Sequence, residues 1–131
     1  MTKAELANLV LNDYFAALDR GDVETCATCF ADNAVLECKT NNMHLVGQPD
    51  IRAFFTRITN NTRSMEHTVS RLIIDLDERT CAAELTYRNQ RIEGDAIDTT
   101  VCDLFEFNGD WKMTRVCFWT GDVVVPAGQS A

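Results

Sequence analysis

The sequence lacks the features of a membrane-spanning, disordered or nucleic-acid-binding chain. Its 131 residues include only 2 prolines, 6 glycines and 12 basic residues, and no apolar run approaches the roughly 18 residues that a bilayer span needs. With 46% apolar residues, this composition is that of a globular protein and excludes a disordered or fibrous one. The 20 acidic residues give a net charge of -8, which repels phosphate backbones and anionic lipids. We therefore expect neither nucleic acid nor a membrane as a partner.

The length fits one domain, which we expect over residues 1–125, followed by a loose tail at 126–131. The N-terminus opens directly into an amphipathic pattern without a secretion signal, which indicates a cytoplasmic location. A reducing cytosol keeps the six cysteines free. Cys26 and Cys29 have C-x-x-C spacing but no second pair and no nearby histidine, so we expect no metal and no cofactor.

The N-terminal part of the sequence predicts three helices. Thr2 and Glu5 form a capping box ahead of apolar residues spaced three and four apart, which predicts a long first helix. Gly21 is a plausible stop for that helix, and Asp22 can cap a short second one. Pro49 sits in the first turn of a third helix, where its missing N–H costs nothing.

The remaining elements are predicted to be strands. Two short strands are expected at 34–38 and 44–46, the first of them after a break at Asp32-Asn33. From residue 66 onward the apolar period changes from 3.6 to 2, which predicts a four-stranded antiparallel meander, and Asn108-Gly109 is its strongest hairpin signal. The fold class is therefore α+β, with three N-terminal helices packed on a curved, mostly antiparallel sheet that encloses a pocket.

Two side chains could carry acid chemistry in that pocket. Asp103 lies between Val101 and Phe105 on one face of a predicted strand, and an inward orientation would desolvate its carboxyl group and raise its pKa. Tyr14 lies on the apolar face of the first helix. Two adjacent donors in a dry pocket form an oxyanion hole. The alternatives are an ordinary exposed acid for Asp103 and a core tyrosine for Tyr14.

Four segments carry a family resemblance: Tyr14–Asp22, Phe30–Ala34, Gly47–Phe55 and Asp103–Gly109. They resemble the bacterial ketosteroid isomerases within the nuclear transport factor 2-like, SnoaL-like superfamily, in the same order and at similar spacing. The resemblance implies a cystatin-like cone, a hydrophobic small-molecule ligand and a homodimer formed through the sheet. It also implies that Tyr14 and a protonated Asp103 form the oxyanion hole. We predict a substrate pocket lined by Phe54, Phe55, Val101, Phe105 and Phe118.

The chain departs from the isomerases at the general base. Where they carry a Glu-Asp pair after the first strand, this chain has Glu37-Cys38. Cys38 could serve only as a thiolate, which needs a positive neighbour. Glu37 points to the opposite face in a regular strand, so it could replace the base only if a bulge re-aimed it.

A second arrangement resembles other superfamily members, the dehydratases and dehydrochlorinases, in which an aspartate orients a histidine that removes a proton. Asp22 and His67 occupy similar places, although the helix cap alone also explains Asp22. The leading hypothesis is an isomerase-like or cyclase-like enzyme that transfers a proton in a hydrophobic carbonyl substrate, with Cys38 or His67 as proton acceptor. The alternatives are a dehydratase-like enzyme using Asp22 and His67, and a non-catalytic binding or dimerisation module.

Overall fold

The computed structural model describes residues 1–122, which form three helices and a six-stranded sheet. Helix α1 covers residues 3–19 in three consecutive segments, Lys3–Asn8, Leu9–Ala16 and Ala17–Asp19. The other elements are, in chain order, α2 Val23–Ala27, β1 Phe30–Cys38, β2 Met43–Val46, α3 Gln48–Asn60, β3 Thr62–Asp75, β4 Thr80–Arg91, β5 Ile97–Phe107 and β6 Met113–Thr120. None of the helices in this part of the chain has the length and apolar character to cross a bilayer. The predicted domain end at residue 125 and the predicted tail at 126–131 lie outside the described residues.

Helix α1 starts as the sequence predicts but then changes its winding. The Thr2 hydroxyl accepts a hydrogen bond from the Glu5 N–H, and the Glu5 carboxylate accepts one from the Thr2 N–H, which completes the capping box. Residues 9–16 form a π-helix instead of the expected α-helix. The adjacent Tyr14 and Phe15 of this segment are both buried.

The turn between α1 and α2 uses the two residues predicted for it. Gly21 has a φ of 75°, a left-handed conformation that glycine adopts without steric cost. Asp22 caps α2, since its carboxylate accepts hydrogen bonds from the Thr25 N–H at 3.1 Å and from the Thr25 hydroxyl at 2.6 Å. The Asp22 side chain is therefore committed to the start of α2.

The six strands form one curved sheet in the order β2-β1-β6-β5-β4-β3. Neighbouring strands are antiparallel except β1 and β6, which run parallel. All three helices contribute buried residues to a core shared with one face of this sheet. This confirms the predicted α+β cone, with helices on one face of a mostly antiparallel sheet.

Strand β1 is longer than the sequence predicts. The expected break at Asp32-Asn33 is wrong, because the strand already begins at Phe30 and runs through both residues with their side chains exposed. The pairing of β1 with β6 shifts register between Phe30 and Val35. An irregularity of this kind leaves residues of the strand unpaired and bends it locally. Strand β3 also begins earlier than predicted, directly after the end of α3.

Strand β5 carries the inward-facing row that the alternation predicts. Every second side chain along it is buried, and the residues between them are more exposed. The buried row consists of Thr99, Val101, Asp103, Phe105 and Phe107. The strand therefore directs one carboxyl group into an otherwise apolar or weakly polar row.

The hairpin after β5 is longer than the Asn108-Gly109 pair predicts. The ladder resumes only at Met113, so the turn consists of residues 108–112. The Asn108 side-chain oxygen accepts hydrogen bonds from two backbone N–H groups within the turn, at 2.9 and 3.0 Å. Asn108 thus stabilises a five-residue turn in place of the predicted two-residue one.

Candidate active site

A cavity of about 600 Å³ opens between α1, α3 and the inner face of the sheet. This volume is typical of sites for small molecules. The structure places four of the five predicted pocket residues in its wall: Phe54, Phe55, Val101 and Phe118. The prediction for Phe105 is wrong, since this fully buried ring lies behind the wall and packs edge-on against Tyr14, with 5.3 Å between the ring centroids.

Asp103 lines this cavity as a buried carboxyl group. It is 4% exposed, and its neighbours in β4 and β6 are Ala83 and Phe118. Burial raises the pKa of Asp103 from 3.8 to about 8, because the ionised form loses its hydration. Asp103 is therefore mostly protonated at neutral pH, and a protonated carboxyl can donate a hydrogen bond.

Tyr14 lies in the same wall, held among aromatic rings. Its ring centroid is 5.0 Å from that of Phe15 and 6.1 Å from that of Phe55. Burial raises the pKa of Tyr14 well above its usual value of 10.0, and the nearby Asp103 adds to the rise. Within residues 1–122, neither the phenol nor the Asp103 carboxyl forms a hydrogen bond to another residue. Both groups therefore have a hydrogen that is free to form a hydrogen bond to a ligand, as far as residues 1–122 are concerned.

His67 of β3 lines the cavity and is held by the carboxylate of Asp19, the last residue of α1. The distance from His67 Nδ1 to Asp19 Oδ1 is 2.6 Å, and the His67 backbone N–H donates to both carboxylate oxygens. The imidazole packs against Phe15 and Tyr87, with ring centroids 5.1 and 4.7 Å away. A carboxylate can only accept the Nδ1 hydrogen, so the arrangement assigns the free lone pair to Nε2.

The predicted pairing of Asp22 with His67 is wrong. The Asp22 carboxylate accepts hydrogen bonds from Thr25 and one from Arg20, and those from Thr25 contribute most to lowering the pKa of Asp22. Asp22 is not part of the cavity wall. Asp19 and Asp22 lie close together in the sequence, and the local pattern identifies only the role of Asp22, as a helix cap. Asp19 was missed because the packing of α1 on β3, rather than any spacing, brings it to His67.

Cys38 and Glu37 face opposite sides of β1, as their alternation predicts. Cys38 is 2% exposed and lines the cavity. Glu37 lies on the other face, where its carboxylate pairs with Lys39 Nζ at 2.6 Å and accepts a hydrogen bond from Arg115 Nε at 3.0 Å. The Lys39 hydrogen bond, followed by that of Arg115, lowers the pKa of Glu37 to about 2. Glu37 is therefore ionised and directed away from the cavity.

One polar part of the wall was missed by sequence reasoning. Tyr87 and Asn89 of β4 line the cavity, together with Arg57 and Asn61 from the end of α3. The strand alternation already placed Tyr87 on the row of Leu85, and one further step along that row reaches Asn89. The signal was present, but a polar residue near a strand end is normally exposed.

The cysteines form no evident site. All six are unpaired, and burial raises the pKa of Cys29 to about 12 and that of Cys26 further still. Within residues 1–122, no group of three or more histidine, cysteine or acidic side chains could hold a metal ion.

Solved structures share this fold at low sequence identity. A candidate SnoaL-like polyketide cyclase from Shewanella denitrificans has a TM-score of 0.76 and 16% identity, over 90% of this chain and 91% of that chain. An LEH-like epoxide hydrolase from M. tuberculosis has a TM-score of 0.75 and 18% identity, over 88% and 83% of the two chains. AusH from Aspergillus nidulans has a TM-score of 0.77 and 14% identity, over 94% and 88%. Identities this low support a shared fold and no more.

The sequence comparisons identify the family. No curated protein matches this chain in sequence. A family model for the SnoaL-like domain matches residues 11–116, a range that includes Tyr14, Asp19, His67 and Asp103. In agreement with the resemblance carried by its sequence motifs, the chain belongs to the SnoaL-like domain family.

Proposed function

We propose that this protein is an isomerase-like or cyclase-like enzyme that transfers a proton within an apolar, carbonyl-bearing small molecule. The proposal rests on one observation: hydrogen-bond donors and a basic group line the same cavity. Asp103 and Tyr14 offer hydrogens, and His67, bound to Asp19, offers a basic nitrogen. Moving a proton between two positions of one substrate needs an acid and a base in reach of the same molecule.

In this proposal Asp103 and Tyr14 bind the substrate oxygen. With a pKa of about 8 the carboxyl keeps its hydrogen at neutral pH, and the buried phenol keeps its own. When a C–H group next to the carbonyl loses its proton, negative charge develops on the carbonyl oxygen. Two donors in a pocket that excludes water stabilise that charge, as an oxyanion hole does.

His67 acts as the base in the same step. Its Nε2 takes the proton from the carbon next to the carbonyl, and the electron pair of the broken C–H bond moves into the enolate. Asp19 stabilises the imidazolium that forms, through the contact at 2.6 Å. Return of the proton to another carbon completes an isomerisation. If the substrate carries a hydroxyl group on the next carbon, the enolate can instead expel it as water, with the proton returned by the His67 imidazolium, and this gives a dehydration.

Cys38 is less suited to this role. It lines the cavity, and the resemblance of the sequence motifs matches it to the base of the isomerases, but only its thiolate could accept a proton. Among residues 1–122, no basic side chain pairs with its sulfur, and the adjacent Lys39 is paired with Glu37 on the opposite face. His67 has the positioning carboxylate that Cys38 lacks.

Hydrogen exchange into a simple ketone tests the proposal without knowledge of the natural substrate. The probe is 2-tetralone in D2O, with loss of the proton signal next to the carbonyl followed by NMR. We expect the protein to accelerate exchange, His67→Gln to slow it by about 10²- to 10⁴-fold, and Asp103→Leu by about 10²- to 10³-fold. Asp22→Asn is the matched control, because asparagine caps a helix as well as aspartate does.

The result also separates the proposal from its alternatives. Wild-type exchange no faster than buffer, or an undiminished rate in His67→Gln, would contradict it. Binding of the ketone without exchange would favour a non-catalytic ligand-binding module. Exchange only in Cys38→Asp would indicate a cavity that has lost this reaction by losing the usual base.

We also propose that two copies pair through the outer face of the sheet. Ile73 is 52% exposed and Trp119 is 43% exposed, and register pairs Ile73 with Ala82 and Ala82 with Leu104 across three strands. Contiguous exposed apolar side chains mark interaction surfaces. Light scattering should give a dimeric mass for the wild type and a monomeric mass for Ile73→Glu, and a monomeric wild type would contradict this proposal.

We also propose that the protein is located in the cytoplasm. All six cysteines are unpaired, which suits a reducing compartment. Recovery of the protein in the cytosolic fraction with six reduced thiols would support this location, and recovery with disulfides would contradict it.

A further inference from the structure

One end of the cavity contains a buried amide group that is only partly satisfied. Asn89 is 2% exposed and lines the cavity. Its Nδ2 group donates hydrogen bonds to the Thr62 hydroxyl at 3.0 Å and to the Tyr87 hydroxyl at 2.8 Å. Its Oδ1 atom has no hydrogen-bond partner in the described part of the chain. Nearly all buried polar atoms are hydrogen-bonded, so an exception calls for an explanation.

The orientation of this amide is fixed by its neighbour. The Thr62 hydroxyl donates its only hydrogen to the Ile58 carbonyl oxygen at 2.6 Å, so towards Asn89 it can only accept. The nitrogen of the amide must therefore face Thr62, and turning the amide over would bring two acceptors together. The unpaired atom is the oxygen, which is an acceptor.

Tyr87 places an unused donor beside this unused acceptor. Its hydroxyl oxygen accepts the hydrogen bond from Asn89, and burial raises the pKa of Tyr87 so that the phenol keeps its hydrogen. That hydrogen has no acceptor within residues 1–122. A ligand group that both donates and accepts would satisfy the two side chains together, and a hydroxyl group is the simplest one.

We propose that Tyr87 and Asn89 form a specificity subsite that binds a hydroxyl group of the substrate. The substrate O–H donates to Asn89 Oδ1, and the substrate oxygen accepts from the Tyr87 hydroxyl. The inference rests on the proposed function, because it assigns the far end of the molecule whose carbonyl binds Asp103.

The register of the sheet sets the shape of such a substrate. Asp103 pairs with Ala83, and Asn89 lies six residues further along β4. At about 3.3 Å per residue this is roughly 20 Å of strand, which the curvature of the sheet and the side chains shorten. The substrate class is therefore an elongated, mostly apolar carbonyl compound with a hydroxyl group at the end remote from the carbonyl.

Two matched probes test the subsite by fluorescence titration. Estradiol has a phenol at one end, which mimics an enolate, and a hydroxyl at the other, whereas 17-deoxyestradiol lacks only the second group. The wild type should bind estradiol roughly five- to 150-fold more tightly, the value of two hydrogen bonds. Asn89→Leu and Tyr87→Phe should each lower this affinity ratio by the value of one of them. The control is Asn33→Leu, the same substitution at an exposed position outside the cavity wall, which should keep the ratio.

Unfolding temperatures with and without ligand separate this role from a structural one. Asn89→Leu also loses the two hydrogen bonds that Asn89 Nδ2 donates, so the ligand-free variant should unfold at a lower temperature than the wild type. The rise in unfolding temperature on binding carries the test: it should be larger with estradiol than with 17-deoxyestradiol in the wild type, and this difference should shrink in Asn89→Leu. A wild-type affinity ratio of one, or an unchanged ratio in Asn89→Leu, would overturn the subsite. Failure of both probes to bind the wild type would instead contradict the proposed function, since both carry the phenol.

Discussion

Replacement of Asp103 by asparagine tests the burial of this carboxyl group with little change in its shape. Asp103 is 4% exposed, and burial raises its pKa from 3.8 to about 8. Between these two pH values the native state holds a proton that the unfolded state has released. The unfolded state therefore binds fewer protons, and the free energy of unfolding must fall as the pH rises through this range.

The size of the effect follows from the pKa difference. A shift from 3.8 to about 8, at about 1.4 kcal/mol per pH unit, corresponds to roughly 6 kcal/mol. Relative to its value below pH 3.8, the free energy of unfolding of the wild type should fall by this amount as the pH rises to about 8, and it should then level off. Asparagine does not ionise, so the stability of Asp103→Asn relative to the wild type should grow by about 3 kcal/mol from about pH 5.5 to about pH 8.

Urea denaturation followed by tryptophan fluorescence measures this difference. Asp98→Asn is the control, because that side chain lies on the same strand but is 68% exposed. Its difference from the wild type should stay nearly constant over the same pH range, apart from a small loss from its exposed pairing with Arg88. A constant difference for Asp103→Asn as well would show that the Asp103 carboxyl is solvated, and the proposed oxyanion hole would lose its acid.

Three further predictions concern the scaffold. In the native protein the four buried cysteines outside the cavity wall, Cys26, Cys29, Cys81 and Cys117, should react slowly with a thiol reagent, and all six thiols should react after denaturation; rapid reaction of more than two native thiols would contradict the buried core. Glu37→Gln should lower the melting temperature at neutral pH, and its difference from the wild type should shrink as the pH falls from 4.5 towards 2, since ion pairing lowers the pKa of Glu37 to about 2; a difference independent of pH would count against it. Asn108→Ala should destabilise the protein by about 1 kcal/mol in urea, through loss of two hydrogen bonds in the turn, and an unchanged midpoint would show that the turn does not need them.

Features that depend on local chemistry could be predicted from sequence. The capping box of Thr2 and Glu5, the cap at Asp22 and the inward row of β5 each depend on residues only a few positions apart. Alternation along one strand was enough to direct Asp103 inward and to separate Cys38 from Glu37. Family motifs added the order of the elements and the cone, because those motifs mark the turns and helix ends that recur in this fold.

Features that depend on contacts between distant segments could not be predicted in this way. Asp19 meets His67 across 48 positions of the chain, and Asn89 is tied to Thr62 across 27, so no local spacing reports either contact. The choice of Asp19 over Asp22 follows from how α1 packs on β3. The unpaired oxygen of Asn89 follows from a hydrogen bond that Thr62 had already given to the end of α3. Periodicity sets the face on which a side chain lies, but packing decides which groups from other elements share that face and which hydrogen-bonding atoms are left for a ligand.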